Sequence, residues 1–327
     1  MSDATAVEHP GPSGSRVGLQ LVSECPVCGG EEAEPVAVGN DFAHGTTGDS
    51  FLAVRCRECE LVYLNPHPAE EEHLRLHPPS YFSPSEWGAK AALRSMRALA
   101  RQAVRYCGAL PRNARLLEVG YGAALHLDEV RRAGLRTWVL EAVTPHESLA
   151  RSARQGGGIV YQGRADTLQD LPAAFDAVLL LHALEHCAFP VDELVSLRRL
   201  LRAGGRLVIL THNADSAVRR LFEGRHWAGY DFPRHASLFG PRTLRRLAAR
   251  TGYEVERLGT ARDSQIWVRS AAHLLKDWNA PPWLIHRARP GALLLGGLAS
   301  LAERAAHLGG RGARLEAVLR KPEETDG

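Results

Sequence analysis

The chain has 327 residues, 45% hydrophobic and 24% charged, enough for a large domain and a small one around a buried core. Its 40 basic residues stand against 37 acidic ones, a net charge of +3, so there is no broad basic field and nucleic acid is not an implied partner. No apolar run is long enough for a membrane span. The nearest, GALLLGGLASL at 291–301, is followed by Glu303 and Arg304 and reads as a packed helix.

Residues 1–20 are polar and rich in Gly, Pro and Ser, without the basic start and apolar stretch of a signal peptide. They predict a disordered leader and a cytoplasmic protein. Residues 21–66 hold two C-x2-C units, Cys25-Pro-Val-Cys28 and Cys56-Arg-Glu-Cys59. A redox dithiol usually comes once, at a strand-to-helix turn of a βαβ unit. Here the unit comes twice, ahead of any such pattern, and four thiolates match the tetrahedral preference of zinc. The expected module is a zinc ribbon with strands near Val36–Val38 and Phe51–Arg55 and a structural ion. Cys107 and Cys187 read as small buried hydrophobes.

Residues 67–110 predict a helical linker or lid, with a helix from Trp87 to Tyr106. From Arg115, short apolar runs alternate with helical stretches: RLLEV, TWVLE, GIVYQ, FDAVLLL and RLVILT. Strands alternating with helices imply a parallel sheet covered on both faces. Tyr253–Leu258 reads as a sixth strand, 265–312 as a helical insertion, and Arg314–Leu319 as a last strand.

The first strand runs into Glu118-Val119-Gly120-Tyr121-Gly122-Ala123-Ala124. Glycines there let the backbone pass close to a ligand at the carboxyl end of the strand. This Glu-x-Gly-x-Gly resembles the first motif of class I SAM-dependent methyltransferases, with Ala123, Ala124 and Tyr121 departing from its usual Thr, Gly and Cys. FDAVLLLHALEH resembles the fourth strand of that family with its Leu-Glu-His ending, and RAGGRLVIL its turn into the fifth strand, with Ala203 in place of Pro. The resemblance covers about residues 115–260. It implies a Rossmann-like α/β domain at 111–320 with a seven-stranded sheet whose last strand is reversed, and S-adenosylmethionine as cofactor. Cofactor contacts fall on Glu118, Gly120, Tyr121, Gly122 and His182, on Glu141 for the ribose hydroxyls, and on Asp166 near the adenine. Similar N-terminal ribbons followed by a segment like Tyr81-Phe82-Ser83 occur in sugar and natural-product methyltransferases, which places Tyr81 at the acceptor.

Methyl transfer needs an aligned acceptor and, for an oxygen or activated carbon, a base. The stretch GRHWAGYDFPRH at 224–235 is dense in aromatics and titratable groups. Sugar C-methyltransferases similar to this chain carry Tyr-x-Glu-His here. His235 falls on that His and is the expected base, and Arg234 replaces the Glu, where it could face an anionic acceptor. His235 could also serve a structural bond. His186 is the second candidate base, with His182, His212 and His226 behind it. Trp227 and Tyr230, set among Gly and charged residues, are expected to wall the acceptor pocket, with core packing as the alternative. The reading is methyl transfer from SAM to an oxygen or carbon of a small metabolite. Its alternatives are a methyltransferase-like protein doing other chemistry such as a cyclisation, and a ribbon that recruits a partner.

Overall fold

The computed structural model describes residues 16–78, 81, 89–120, 122–133, 138–155, 157–168, 170–288 and 293–323. Tyr121 and Phe82-Ser83 lie outside the described residues. The N-terminal part holds β1 (Leu19–Gln20), β2 (Ala33–Gly39), β3 (Phe51–Cys56), β4 (Val62–Leu64) and β5 (His67–Pro68), then α1 (His73–Leu76) and α2 (Ala89–Cys107). Leu19-Gln20 pairs antiparallel with His67-Pro68, so residues 16–20 of the leader expected over 1–20 belong to the fold, and the rest of that stretch lies outside the described residues.

The catalytic part follows as β6 (Arg115–Val119), α3 (Ala123–Ala133), β7 (Val139–Thr144), α4 (Glu147–Gln155), β8 (Ile159–Gln162), β9 (Phe175–Leu181), α5 (Pro190–Leu200) and β10 (Leu201–His212). Then come α6 (Ala217–Leu221), β11 (Ser237–Leu238), α7 (Pro241–Arg250), β12 (Glu254–Ala261), α8 (Ser264–Asp277), α9 (Pro282–Arg287), α10 (Leu293–Leu308) and β13 (Arg314–Arg320). The central sheet has the order β12-β13-β10-β9-β6-β7-β8. β13 runs antiparallel between β10 and β12, and the β10–β9–β6–β7–β8 pairs are parallel.

Every residue of β9 is buried, as a strand covered on both faces requires. From Ala177 to Leu181 its side chains alternate between two cores, and Phe175 joins the first of them. Phe175, Val178 and Leu180 face Leu194, Leu197, Leu244 and Leu247 of α5 and α7. Ala177, Leu179 and Leu181 face Leu99, Ala103, Leu127 and Val130 of α2 and α3. Each fully buried leucine contributes roughly 2 kcal/mol of apolar transfer. Pro190 and Pro241 sit in the first turns of α5 and α7, where a missing N–H leaves nothing unpaired. The irregular start of β10, where its register shifts between Leu201 and Arg206, depends on glycine: Gly204 has φ +70°, and a Cβ on Gly205 would meet the Arg202 carbonyl at 2.9 Å.

Two expected boundaries shift. α2 is part of the sheet core through Leu99, Ala100, Ala103 and Cys107, so this helix covers the sheet and is not a lid. The ribbon is not a separate unit either: its sheet has the order β11-β4-β3-β2, and β11 comes from the catalytic part, with Ser237 opposite Tyr63. Thr243 Oγ1 on α7 donates to the Cys59 carbonyl at 2.7 Å, and Arg250 donates to the Val27 carbonyl at 3.1 Å. Helices α8, α9 and α10 occupy the insertion expected at 265–312, with α8 starting one residue earlier at Ser264. No helix among the described residues is long and apolar enough to cross a membrane.

Candidate active site

A cleft of about 440 Å³ opens at the carboxyl ends of β6, β7 and β9, lined by Gly120, Val143, Pro145, Gly163, Ala183 and His186 among others. Such strand ends are where open α/β sheets bind ligands. Gly120 has φ +141°, and a Cβ there would fall 2.6 Å from that of Ala183. On the far side, Gly163 has φ +137°, with a Cβ 2.6 Å from Thr167 Oγ1. Both walls thus need glycine backbone, and a bound nucleoside fits against such bare chain. Gly122, half-buried, precedes the first turn of α3.

The carboxylates assigned to the cofactor are placed differently from expectation. Glu118 is 2% exposed and faces away from the cleft, 2.6 Å from His126 Nδ1 on α3. Burial raises its pKa despite that imidazole. Glu141 was expected at the end of its strand, but β7 continues to Thr144. Its carboxylate is 2% exposed, accepting from Arg115 Nη2 at 2.6 Å and from the Tyr161 hydroxyl at 2.6 Å. Val143 and Pro145 line the cleft in its place. Asp166 stays near the rim, exposed, 3.9 Å from Arg164 Nε. Glu141→Gln is accordingly expected to lower stability by about 2 kcal/mol through the lost charge-assisted bonds. It should leave SAM affinity within about twofold, as read by thermal melts beside calorimetric titration.

Next to the cleft, five histidines form a continuous array. Ring centroids lie 4.8 Å apart for His77–His186 and for His186–His235, 5.2 Å for His235–His212 and 4.9 Å for His212–His182. The tautomers follow from their carbonyl partners. His235 Nδ1 lies 2.7 Å from the Gly229 carbonyl, so it carries the proton and Nε2 is the acceptor nitrogen. His77 Nδ1 donates to the His73 carbonyl at 2.8 Å. His186 Nδ1 lies 3.1 Å from both the Arg234 carbonyl and His77 Nε2, so it too is the donor. Burial, followed by the neighbouring His235, pushes the His186 pKa down to about 3, which keeps its imidazole neutral.

The loop that carries His235 is built as core. Trp227 and Tyr230, 1% and 2% exposed, pack into the cluster with Phe232 and Ile266, and both also line a small second pocket with Phe42 and His273. Tyr81 donates its hydroxyl to Asp231 Oδ2 at 3.0 Å. Asp231 is a residue the motif reading missed. It has φ +35°, and its Oδ2 lies 3.9 Å from His235 Nε2. Burial pushes its carboxyl up, but Arg234 and His235 outweigh that and hold it well below the usual carboxylate range. A non-glycine residue at positive φ was the one thing that could have marked it, and sequence does not print φ.

Arg234 does not face an acceptor. Its side chain is fully buried and pairs with Asp41 of the ribbon part, Nη1 to Oδ1 at 3.0 Å and Nη2 to Oδ2 at 2.6 Å, while Nε donates to the Leu76 carbonyl at 2.6 Å. Removing one member of a buried pair strands the other charge. Asp41→Ala is expected to cost about 3–5 kcal/mol, and Asp41→Leu combined with Arg234→Met less than the single change, in a denaturant double-mutant cycle. Burial raises the Asp41 carboxyl, but Arg234 more than offsets it, so the folded pKa lies below the unfolded one. This stabilisation is then complete above about pH 5 and is lost as pH falls below about 4.

The four cysteines converge. Cys25 and Cys59 sulfurs are 3.5 Å apart, as are those of Cys28 and Cys56, and all four lie within 4.8 Å of one another. The two knuckles repeat one turn: Gly29 N–H donates to the Cys25 carbonyl and Glu60 N–H to that of Cys56, with φ +77° and +65° at the two donors. Zinc–sulfur bonds of about 2.3 Å suit sulfurs at this spacing.

A family model described as a methyltransferase domain matches residues 92–258, half of the chain. Similar curated proteins include a ubiquinone biosynthesis O-methyltransferase of Cereibacter sphaeroides, 34% identical over 104 residues, 31% of this chain and 42% of that protein. One of the same name from Xanthomonas axonopodis pv. citri is 25% identical over 212 residues, 62% of this chain and 82% of that protein. The chain spans about half the length of the first curated relatives it matches, 42% and 54%. Among solved structures, a SAM-dependent methyltransferase from Archaeoglobus fulgidus aligns over 75% of this chain and 100% of that one, at 16% identity and a TM-score of 0.47. With the parallel sheet, its reversed β13 and the glycine-walled cleft, the family-model match over residues 92–258 assigns the chain to the class I SAM-dependent methyltransferases.

Proposed function

We propose that the protein methylates an oxygen of a small-molecule biosynthetic intermediate, natural-product or sugar-like, with His235 as general base. The observation that carries this is the bond from His235 Nδ1 to the Gly229 carbonyl, which presents Nε2 as the basic nitrogen beside the cofactor cleft. When bound, SAM supplies an electrophilic methyl group at the glycine-walled cleft. The chain's own residues then align the acceptor and take its proton. Asp231 Oδ2, which accepts from the Tyr81 hydroxyl, lies 3.9 Å from the same nitrogen and would orient an acceptor hydroxyl toward it. The printed name of the curated relatives favours oxygen over carbon. In this reading Cys25, Cys28, Cys56 and Cys59 hold a zinc ion with no open position, so its role is structural.

The test is calorimetric titration of the zinc-loaded protein with SAM and with S-adenosylhomocysteine, followed by transfer of labelled methyl to phenolic and sugar hydroxyls. Binding of both ligands with label in the acceptor supports the proposal. A folded protein that binds neither at millimolar concentration would sink it.

A further inference from the structure

We propose that His182, Glu185 and His212 form a second metal site, taking a first-row divalent ion through two imidazole nitrogens and one carboxylate. β9 and β10 are parallel neighbours and end together: His182 follows the last residue of β9, His212 is the last of β10, and His182 N–H donates to the Leu210 carbonyl at 2.8 Å. Their rings come within 4.9 Å, over Glu185. His182 Nδ1 is 2.9 Å and His212 Nε2 3.9 Å from Glu185 Oε1, and one ligand atom from each residue fits within 4.8 Å of the others. Ligand bonds of about 2.0–2.2 Å around a shared ion bracket those separations.

Three details favour a ligand set over a plain hydrogen-bonded cluster. Glu185 has no exposure, and its other oxygen accepts from Thr211 Oγ1 at 2.6 Å, the kind of outer bond that aims a metal-binding carboxylate. His212 is buried, and its Nε2, 3.9 Å from Glu185 Oε1, is too far for a hydrogen bond and leaves room for an ion between the two. His182 has φ +54°, a left-handed backbone that costs a non-glycine residue about 1–2 kcal/mol and turns its side chain over the other two. Two imidazoles and a carboxylate leave coordination positions open, which distinguishes this site from the closed four-cysteine one. His182, 29% exposed at its side chain, is the member that reaches solvent. Resting on the proposed oxygen methylation, the ion would hold the acceptor hydroxyl and lower its pKa. The proton would pass to His235, whose ring lies 5.2 Å from that of His212.

The experiment needs no turnover, so its failure is separate from failure of the methylation reading. Zinc-loaded protein, freed of loosely held ions, is titrated with Co²⁺ and followed by visible absorption and by metal analysis. The expected result is one saturable cobalt equivalent without thiolate charge-transfer bands, with zinc content unchanged. His182→Ala and His212→Gln should each weaken it about 10–100-fold while both retain their zinc. The partly exposed His182 keeps the test valid if the His212 variant fails to fold. No saturable cobalt in the wild type, or undiminished binding in the His182 variant, overturns the site.

Discussion

Replacing His235 by alanine is expected to lower kcat by about 10²–10⁴-fold, the range typical for loss of a positioned general base. The Kd for SAM should stay within about twofold, because His235 lies outside the residues that line the cofactor cleft. The ring is 5% exposed and held at Nδ1 by a backbone carbonyl, so its loss removes a proton acceptor and leaves the cleft walls in place. His235→Gln provides the control: its amide can still donate to the Gly229 carbonyl but cannot take a proton at neutral pH. Should His186→Ala abolish transfer while His235→Ala leaves it intact, the base would be His186, whose ring lies 4.8 Å away and lines the cleft.

Removing zinc is expected to disable the catalytic part as well as the ribbon. A structural zinc contributes about 10–16 kcal/mol in isolated fingers at neutral pH, far more than any single contact. Here the knuckles sit in the same core as α5 and α7, through Cys25, Val27, Cys59, Leu244 and Leu247. β4 holds β11, and Asp41 holds Arg234, the residue before His235. Chelation, or Cys56→Ser, should lower Tm by 10 °C or more, on the order expected for losing several kcal/mol in a domain of this size. Methyl transfer should fall in step with zinc content. Stripped protein that melts and turns over like the holo form would refute both the metal and its coupling to the site.

The fold was readable because its signals are local. Apolar runs such as FDAVLLL need two buried faces, and a glycine turn after the first strand needs a ligand or a tight crossing, so order and strand type followed from spacing. Of the expected site residues, Gly120 and His186 line the cleft, while His235 lies outside its lining. Glu141 misled because a strand's end is set by pairing: β7 runs three residues further, and its carboxylate turns to Arg115 and Tyr161. Arg234 misled because its partner, Asp41, lies in another part of the chain, and no local pattern announces a buried ion pair. Asp231 and the His182–Glu185–His212 group depend on backbone angles and on which strands end side by side, which only the folded chain reveals.

The pairing of Ser237-Leu238 with Val62-Tyr63 also orders events during synthesis. The ribbon emerges from the ribosome early, yet its sheet cannot be finished until most of the catalytic part has followed. Until then β4 keeps a row of unsatisfied backbone groups on an open edge, the usual template for association with another chain. Zinc captured by the nascent cysteines would hold that edge short and twisted during the wait. A late-forming pair of such wide sequence separation also predicts slow, cooperative completion of the fold, with the His235 loop among the last parts to lock into place.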